Sequence, residues 1–292
     1  MVLFSCLLQC LGNHEFDKGI QGLVPFLQNV TFPVLAANIN ITGIPELASV
    51  KKRIKLKLGG EWIGIVGYIT VETPMLSNPE PVTFMDEVES VQREVNELLK
   101  ENVTKIIALG HAGYWVDKKV AKEVKGLDIV VGGHTNTFLY TGNPPSSEKP
   151  DGEYPTVIKQ DDGEICLVVQ AYAYGKYLGF LQVTFDPDGR LRSWNGNPIL
   201  LDKTVIPDPA ILAKMKPFQR QLTKLVNKVI GETSVLLNGD SQCRLEECNL
   251  GNLIADAMVG WYARKPEPDS WNKYAISIVN SGSIRTSIEP GE

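Results

Sequence analysis

Three short stretches carry the residue types that ligate metals or move protons. In Gly12-Asn13-His14-Glu15-Phe16-Asp17, an amide, an imidazole and two carboxylates follow one glycine. The chain has only three histidines, His14, His111 and His134. His111 stands in Leu109-Gly110-His111-Ala112-Gly113, and His134 in Val131-Gly132-Gly133-His134-Thr135-Asn136-Thr137. Both follow a glycine that ends a short aliphatic run, a setting that packing alone gives no reason to repeat. Amide oxygen and imidazole nitrogen are donors suited to Zn²⁺ or Mn²⁺. A carboxylate three residues after an imidazole is a plausible partner for it. Asp17 has a second reading as a helix N-cap, which requires no chemistry.

The elements around these stretches decide whether they meet. Ile20, Leu23, Val24 and Leu27 keep helical spacing and predict a short helix over 19–29, and Phe32 to Ile39 reads as a buried strand. Arg53 to Leu58, a turn at Gly59-Gly60 and Trp62 to Tyr68 predict a hairpin with its second strand buried. A loop rich in proline and asparagine follows, from Thr73 to Pro81. Val88, Val91, Val95, Leu98 and Leu99 form one apolar stripe of a helix. Ile106 to Leu109 reads as a strand, Val116, Val120 and Val124 mark a helix stopped at Gly126, and Leu127 to Val131 is a second strand. Strand, helix, strand implies parallel neighbours with a right-handed crossover. Ligand sites in such sheets lie outside the carboxyl ends of the strands, so His111 and His134 share one rim.

Beyond Glu153 the text turns to strands, at Ile165 to Val169, Gly179 to Phe185 and Leu191 to Trp194, with a turn at Asp186-Pro187-Asp188-Gly189. Asp208 and Pro209 start a helix whose apolar stripe, Ile211, Met215, Phe218, Leu222, Leu225 and Val229, runs until Gly231 and meets Pro217 on the way. It reads as a connector between domains or as a packed helix of the first domain. The last stretch holds a helix over Asn249 to Tyr262 and a strand over Ala275 to Val279, the opening of a second domain.

With 43% hydrophobic and 22% charged residues, the chain has the make-up of a globular protein. Its net charge of −5 argues against nucleic acid or an anionic membrane as the main partner. No apolar run reaches the roughly 20 residues of a membrane span, and Met1 to Leu11, with Cys6 and Cys10, makes a poor signal peptide. Cys243 and Cys248 flank four residues and could close a small disulfide loop, whereas Cys166, inside an aliphatic run, reads as a buried free thiol. Asn29, Asn40 and Asn102 each open a glycosylation tripeptide, which suits an extracellular setting.

Gly-Asn-His-Glu-Phe-Asp, Gly-His-Ala-Gly and Gly-Gly-His-Thr-Asn-Thr together resemble the metallophosphoesterase signature of the 5′-nucleotidase family. Leu76-Ser77-Asn78-Pro79, Phe138 to Pro145 and Gly175-Lys176-Tyr177-Leu178-Gly179 extend the resemblance to the animal ecto-enzymes of that family. It implies an α/β fold: a metallophosphoesterase-type αββα sandwich over residues 1–207, a connecting helix over 208–230, and an incomplete nucleotide-binding α/β domain over 231–292. It implies hydrolysis of nucleoside 5′-monophosphates, AMP to adenosine and phosphate, with two divalent metals, Zn²⁺ foremost and Mn²⁺ next. Asn13, His111 and His134 would be metal ligands, His14 and Asp17 catalytic. Asn78 and Asn136 would face substrate from the metal domain, and Arg244, Asn280 and Arg285 from the second. The resemblance further implies an extracellular, lipid-anchored and dimeric parent. The alternatives are an apyrase-like hydrolase of nucleoside di- and triphosphates and a non-catalytic isoform. Two aspartate-bearing metal motifs that the family carries ahead of Gly-Asn-His-Glu do not occur in these 292 residues, so the chain by itself is expected to be inactive.

Overall fold

The computed structural model describes residues 7–226, 228–239, 241–264 and 274–291. Met1 to Cys6 of the apolar N-terminal stretch, and Asn227 near the end of the expected connector, lie outside the described residues. The chain divides into two compact units, Met1–Pro207 and Asp208–Glu292.

In the first unit the strands are β1 (Gln9–Cys10), β2 (Val34–Leu35), β3 (Ile39–Asn40), β4 (Arg53–Leu58), β5 (Glu61–Ile69), β6 (Thr83–Phe84), β7 (Lys105–His111), β8 (Ile129–Val131), β9 (Thr156–Lys159) and β10 (Ile165–Val169). Short pairs follow: β11 (Tyr177–Leu178) with β14 (Ile199–Leu200), and β12 (Gln182–Phe185) with β13 (Leu191–Asn195). The helices are α1 (Gly19–Asn29), α2 (Thr73–Leu76), α3 (Glu87–Lys100) and α4 (Tyr114–Glu123). The central sheet runs β4-β5-β7-β8-β10-β9. β5, β7, β8 and β10 are mutually parallel, and each edge strand is antiparallel to its neighbour.

Packing follows from the apolar stripes. α3 starts where the Asp86 side chain accepts from the Glu89 amide at 2.9 Å, and it buries Val91, Val95 and Leu98. Those side chains form one core with Val120, Val124, Ile106, Ala108, Val130 and Val168. A second core joins Ile20, Leu23 and Leu27 of α1 to Leu11, Phe16, Val34, Ala36 and Ile69. The order of layers is therefore helix, sheet, the β1–β2 layer, helix, as expected for the sandwich. The layers meet closely at Gly67, where an added Cβ would lie 2.6 Å from the Leu35 carbonyl carbon. Cys166 is fully buried with a free thiol.

Three expectations need correction inside this unit. The single strand over Phe32 to Ile39 is two short ones, because the chain leaves β2 to bond across layers, with the Ala37 amide donating to Gly67 at 2.7 Å. The loop from Thr73 to Pro81 opens with α2, whose Pro74 suits a first turn. His111 is the last residue of β7 rather than a residue beyond it, since the β5–β7 pairing continues to Ile69↔His111.

The second unit holds α5 (Pro209–Val226) and α6 (Asn249–Ala263). α5 carries Pro217 internally, and residues 228–230 are not helical, so the helix stops short of the expected Gly231. The strand expected over Ala275 to Val279 is not formed. Ile276 and Ile278 are 82% and 91% exposed, and no described strand offers this stretch a ladder; an alternating pattern alone does not satisfy its amides. Cys243 and Cys248 form a disulfide with a Cα–Cα distance of 5.3 Å. No described helix is long and apolar enough to cross a membrane.

Candidate functional site

β7 and β8 run parallel with Ile107 opposite Ile129, and both point the same way out of the sheet. His111 ends β7, and His134 comes three residues after Val131 ends β8. The two imidazoles meet with ring centroids 5.1 Å apart. Asn13 arrives from the other layer on a 3-10 turn, Asn13–Phe16, anchored by Phe16 in the second core. Its Oδ1 lies 3.1 Å from His111 Nε2. Two donors sharing one ion at bonds of about 2.1 Å sit about 3.0–3.4 Å apart, so this pair fits a common cation. Gly12 makes the approach feasible, since a Cβ there would fall 2.9 Å from the His111 ring and from the Glu15 carboxylate. Burial, helped by the neighbouring imidazoles of His134 and His14, pushes His111 down to about 4. It is neutral at ordinary pH with a lone pair to offer.

His14 and Asp17 occupy the exposed side of the same turn, with side chains 63% and 48% exposed. Their Nδ1–Oδ2 distance is 2.9 Å. A carboxylate only accepts, so Nδ1 carries the hydrogen and Nε2 faces outward. Desolvation raises the Asp17 carboxyl, but hydrogen bonds from His14 and Ser77 outweigh it and hold the group below its ordinary range. Asp17 closes the 3-10 turn and the N-cap of α1 is Lys18, so the capping reading of Asp17 fails.

Ser77 is the partner that sequence reading missed. Its hydroxyl donates to Asp17 Oδ1 at 2.8 Å across a separation of 60 residues. No local pattern announces it; its place beside Asn78 was the only signal. Asn78 itself is exposed and near the same turn, its Nδ2 lying 3.7 Å from where a Cβ on Gly19 would stand. Asn136 is exposed two residues beyond His134, at φ 55°.

In the second unit, Arg244 ends the 3-10 turn Ser241–Arg244 and is exposed. Asn280 caps the turn Ser281–Ser283 through its side chain, which accepts from Gly282 at 2.8 Å, and exposed Arg285 follows. These two turns pack together, which puts both arginine-bearing segments in one neighbourhood of that unit. Asn29, Asn40 and Asn102 are all exposed; Asn40 accepts from the Thr42 amide at 3.0 Å, and Asn102 adopts φ 59°.

Among the described residues, no group of three or more His, Cys, Asp and Glu side chains is placed to hold a metal. Asn13 Oδ1 and His111 Nε2 are spaced to share one divalent ion, and the His134 ring lies beside them.

The calcineurin-like phosphoesterase family matches residues 7–138, and the 5′-nucleotidase C-terminal domain family matches residues 229–292. The chain is 51% identical over 285 residues to the 5′-nucleotidase of Rattus norvegicus, covering 96% of this chain and 50% of that protein. It is 50% identical over 286 residues to the snake venom 5′-nucleotidase of Naja atra, covering 96% and 54%. Among solved structures, a 5′-nucleotidase precursor from Thermus thermophilus matches with TM-score 0.85 and 36% identity, over 97% of this chain and 55% of that one. An NAD nucleotidase from Haemophilus influenzae matches with TM-score 0.66 and 27% identity, over 78% and 53%. The chain thus spans about half the length of the curated relatives it matches.

Proposed function

The chain belongs to the 5′-nucleotidase family of metallophosphoesterases, and from that premise we propose that its parent hydrolyses nucleoside 5′-monophosphates, AMP foremost. The observation that carries this reading is the meeting of Asn13 and His111 at 3.1 Å, with the His134 ring beside them and the His14–Asp17 pair on the same turn as Asn13. We assign metal chemistry to residues 1–207, the connection to 208–230 and nucleotide recognition to 231–292. The family works with divalent metal cofactors. The donor set favours Zn²⁺, with Mn²⁺ next.

Asn13, His111 and His134 would hold an ion, which when bound supplies charge for the phosphoryl oxygens and activates water. His14, pointed outward by Asp17, contacts a phosphoryl oxygen through Nε2 or, as an imidazolium with both nitrogens protonated, gives its Nε2 proton to the leaving oxygen. Asn78 and Asn136 offer amides to the phosphate. In the second unit Arg244, Asn280 and Arg285 bind the nucleotide, with the arginines as fixed cations. Because the three ligands are neutral, the 292-residue chain by itself holds metal weakly and turns over little.

The venom relative, the Cys243–Cys248 disulfide and the exposed asparagines of three glycosylation tripeptides support an extracellular setting. Lipid anchoring and dimerisation of the parent are carried by the family resemblance. The likeness to an NAD nucleotidase favours a second reading, a hydrolase of phosphoanhydrides such as ADP and ATP. Phosphate release from AMP, ADP and ATP by the full-length parent separates the two: AMP is the expected substrate, and turnover confined to ADP and ATP overturns the proposal. Metal analysis and AMP turnover on the 292-residue chain test the weak-binding statement, which two tightly bound ions with appreciable turnover would overturn.

A further inference from the structure

Beneath the two histidine turns lies a buried polar cluster that the proposed chemistry does not use. Tyr68 at the end of β5, Asp117 in the first turn of α4 and Gln170 just after β10 are 0%, 0% and 3% exposed. The Tyr68 hydroxyl donates to Asp117 Oδ1 at 2.6 Å, and Gln170 Nε2 donates to Asp117 Oδ2 at 2.7 Å. The same Nε2 reaches the Gly133 carbonyl at 3.2 Å, while Gln170 Oε1 accepts from the Thr137 amide at 3.1 Å. One side-chain amide therefore ties together the two ends of the loop that holds His134, Thr135 and Asn136.

That loop needs tying. His134 and Asn136 sit at φ 77° and 55°, left-handed conformations that non-glycine residues hold only when their surroundings over-determine them. The orientation of the Gln170 amide is in turn dictated by its partners. The Thr137 backbone N–H can only donate, so Oε1 must face Thr137, which turns Nε2 toward Asp117. Burial raises the Tyr68 hydroxyl well above its ordinary range, which keeps it a donor. The cluster also presses on both turns. A Cβ on Gly110 would lie 2.1 Å from the Tyr68 ring, and one on Gly132 would lie 1.9 Å from Asp117 Oδ2. Gly110, directly before His111, and Gly132, two residues before His134, are thus the places where backbone lies directly on the cluster.

We propose that Asp117 and Gln170 are positioning residues: Gln170 clamps the His134–Asn136 loop, Asp117 locks the clamp, and together they hold the His134 imidazole against His111. The role in metal binding rests on the function proposed above; the placement of His134 does not. Outer groups that fix a ligating histidine typically change metal affinity by about 10–100-fold when removed. The cluster is one shell further out than usual, since it acts on the backbone of the ligand loop rather than on the ring.

The test uses the full 292-residue chain with Gln170→Leu, Gln170→Glu and Asp117→Asn. Gln170→Glu keeps the acceptor for Thr137 and loses the donors; Asp117→Asn is isosteric and turns a donor toward Gln170. The ¹H–¹⁵N correlation spectrum of the three imidazoles is recorded without metal, and Mn²⁺ affinity is measured by titration. In variants that keep the far-ultraviolet dichroism of the parent chain, His134 is expected to shift and broaden while His14 stays in place. Mn²⁺ affinity should fall by about tenfold or more. Folded variants with an unmoved His134 signal and unchanged affinity overturn the proposal. So does unfolding of all three variants, because the cluster would then be a folding element only. If the unsubstituted chain binds no Mn²⁺, the metal reading fails, and the His134 spectrum alone decides the positioning role.

Discussion

The paired histidines at the end of the sheet and the lone histidine on the 3-10 turn place the same side chain in opposite settings. His111 is half-buried beside another imidazole, and desolvation drives it to about 4, so it remains a neutral donor. His14 is 63% exposed and bound through Nδ1 to a carboxylate, which leaves one nitrogen free to meet a substrate oxygen. An exposed pair of this kind contributes only about 0.2–1 kcal/mol to stability, so the Asp17 contact acts by orienting the ring. The contrast teaches that role follows from burial and partner, since all three histidines come from glycine-containing turns of similar text.

The largest expected effect comes from removing a ligand. His111→Ala or His134→Ala should lower Mn²⁺ or Zn²⁺ affinity on the order of 100-fold or more, whereas His14→Ala should leave it within about twofold. A titration in which His14→Ala weakens metal as much as His134→Ala would erase the distinction between the two regions. Next comes turnover by the full-length parent. His14→Ala should reduce it about 10²–10⁴-fold, and Asp17→Ala about tenfold, each with metal affinity retained. Equal losses at the two positions would mean that Asp17 does more than orient.

Acid should separate the regions further. With His111 near 4 in the folded state and about 6.5 unfolded, only the unfolded chain takes up this proton between those values. Stability of the metal-free chain is therefore fully present above about pH 6.5 and falls as pH drops toward 4. Between pH 7 and pH 4.5 the loss is about 1–2 kcal/mol by linkage once screening by solvent is discounted, and urea unfolding at those two pH values reads it. His111→Gln should flatten that part of the profile; an unchanged slope would show that burial does not govern this imidazole. The smallest effect is expected at Ser77→Ala, about a threefold loss of turnover with stability nearly unchanged, because Asp17 keeps its bond to His14. Steady-state kinetics with no loss at all would remove Ser77 from the site.

Much of the metal rim was legible because its signals are local. The aliphatic runs before Gly110 and Gly132 and the stripe Val116, Val120, Val124 are periodicities within a dozen residues, and the parallel crossover follows from them. Legibility failed where an element depends on a partner. Ala275 to Val279 alternates like a strand and has no ladder among the described residues. The connector helix has apolar spacing up to Val229 and yet ends at Val226.

By itself the sequence determined that two glycine-histidine turns leave neighbouring parallel strands on one rim, and it singled out an Asn-His-x-x-Asp turn as a third candidate stretch. Only the tertiary structure decided that Asn13 Oδ1 faces His111 Nε2 across 98 positions of chain, that Ser77 holds Asp17, and that Asp117 and Gln170 lie under the His134 loop. The physical reason is range. Periodicity reports which face of an element is buried, but a hydrogen bond between elements depends on the register and spacing of layers, which the packing of both cores sets together.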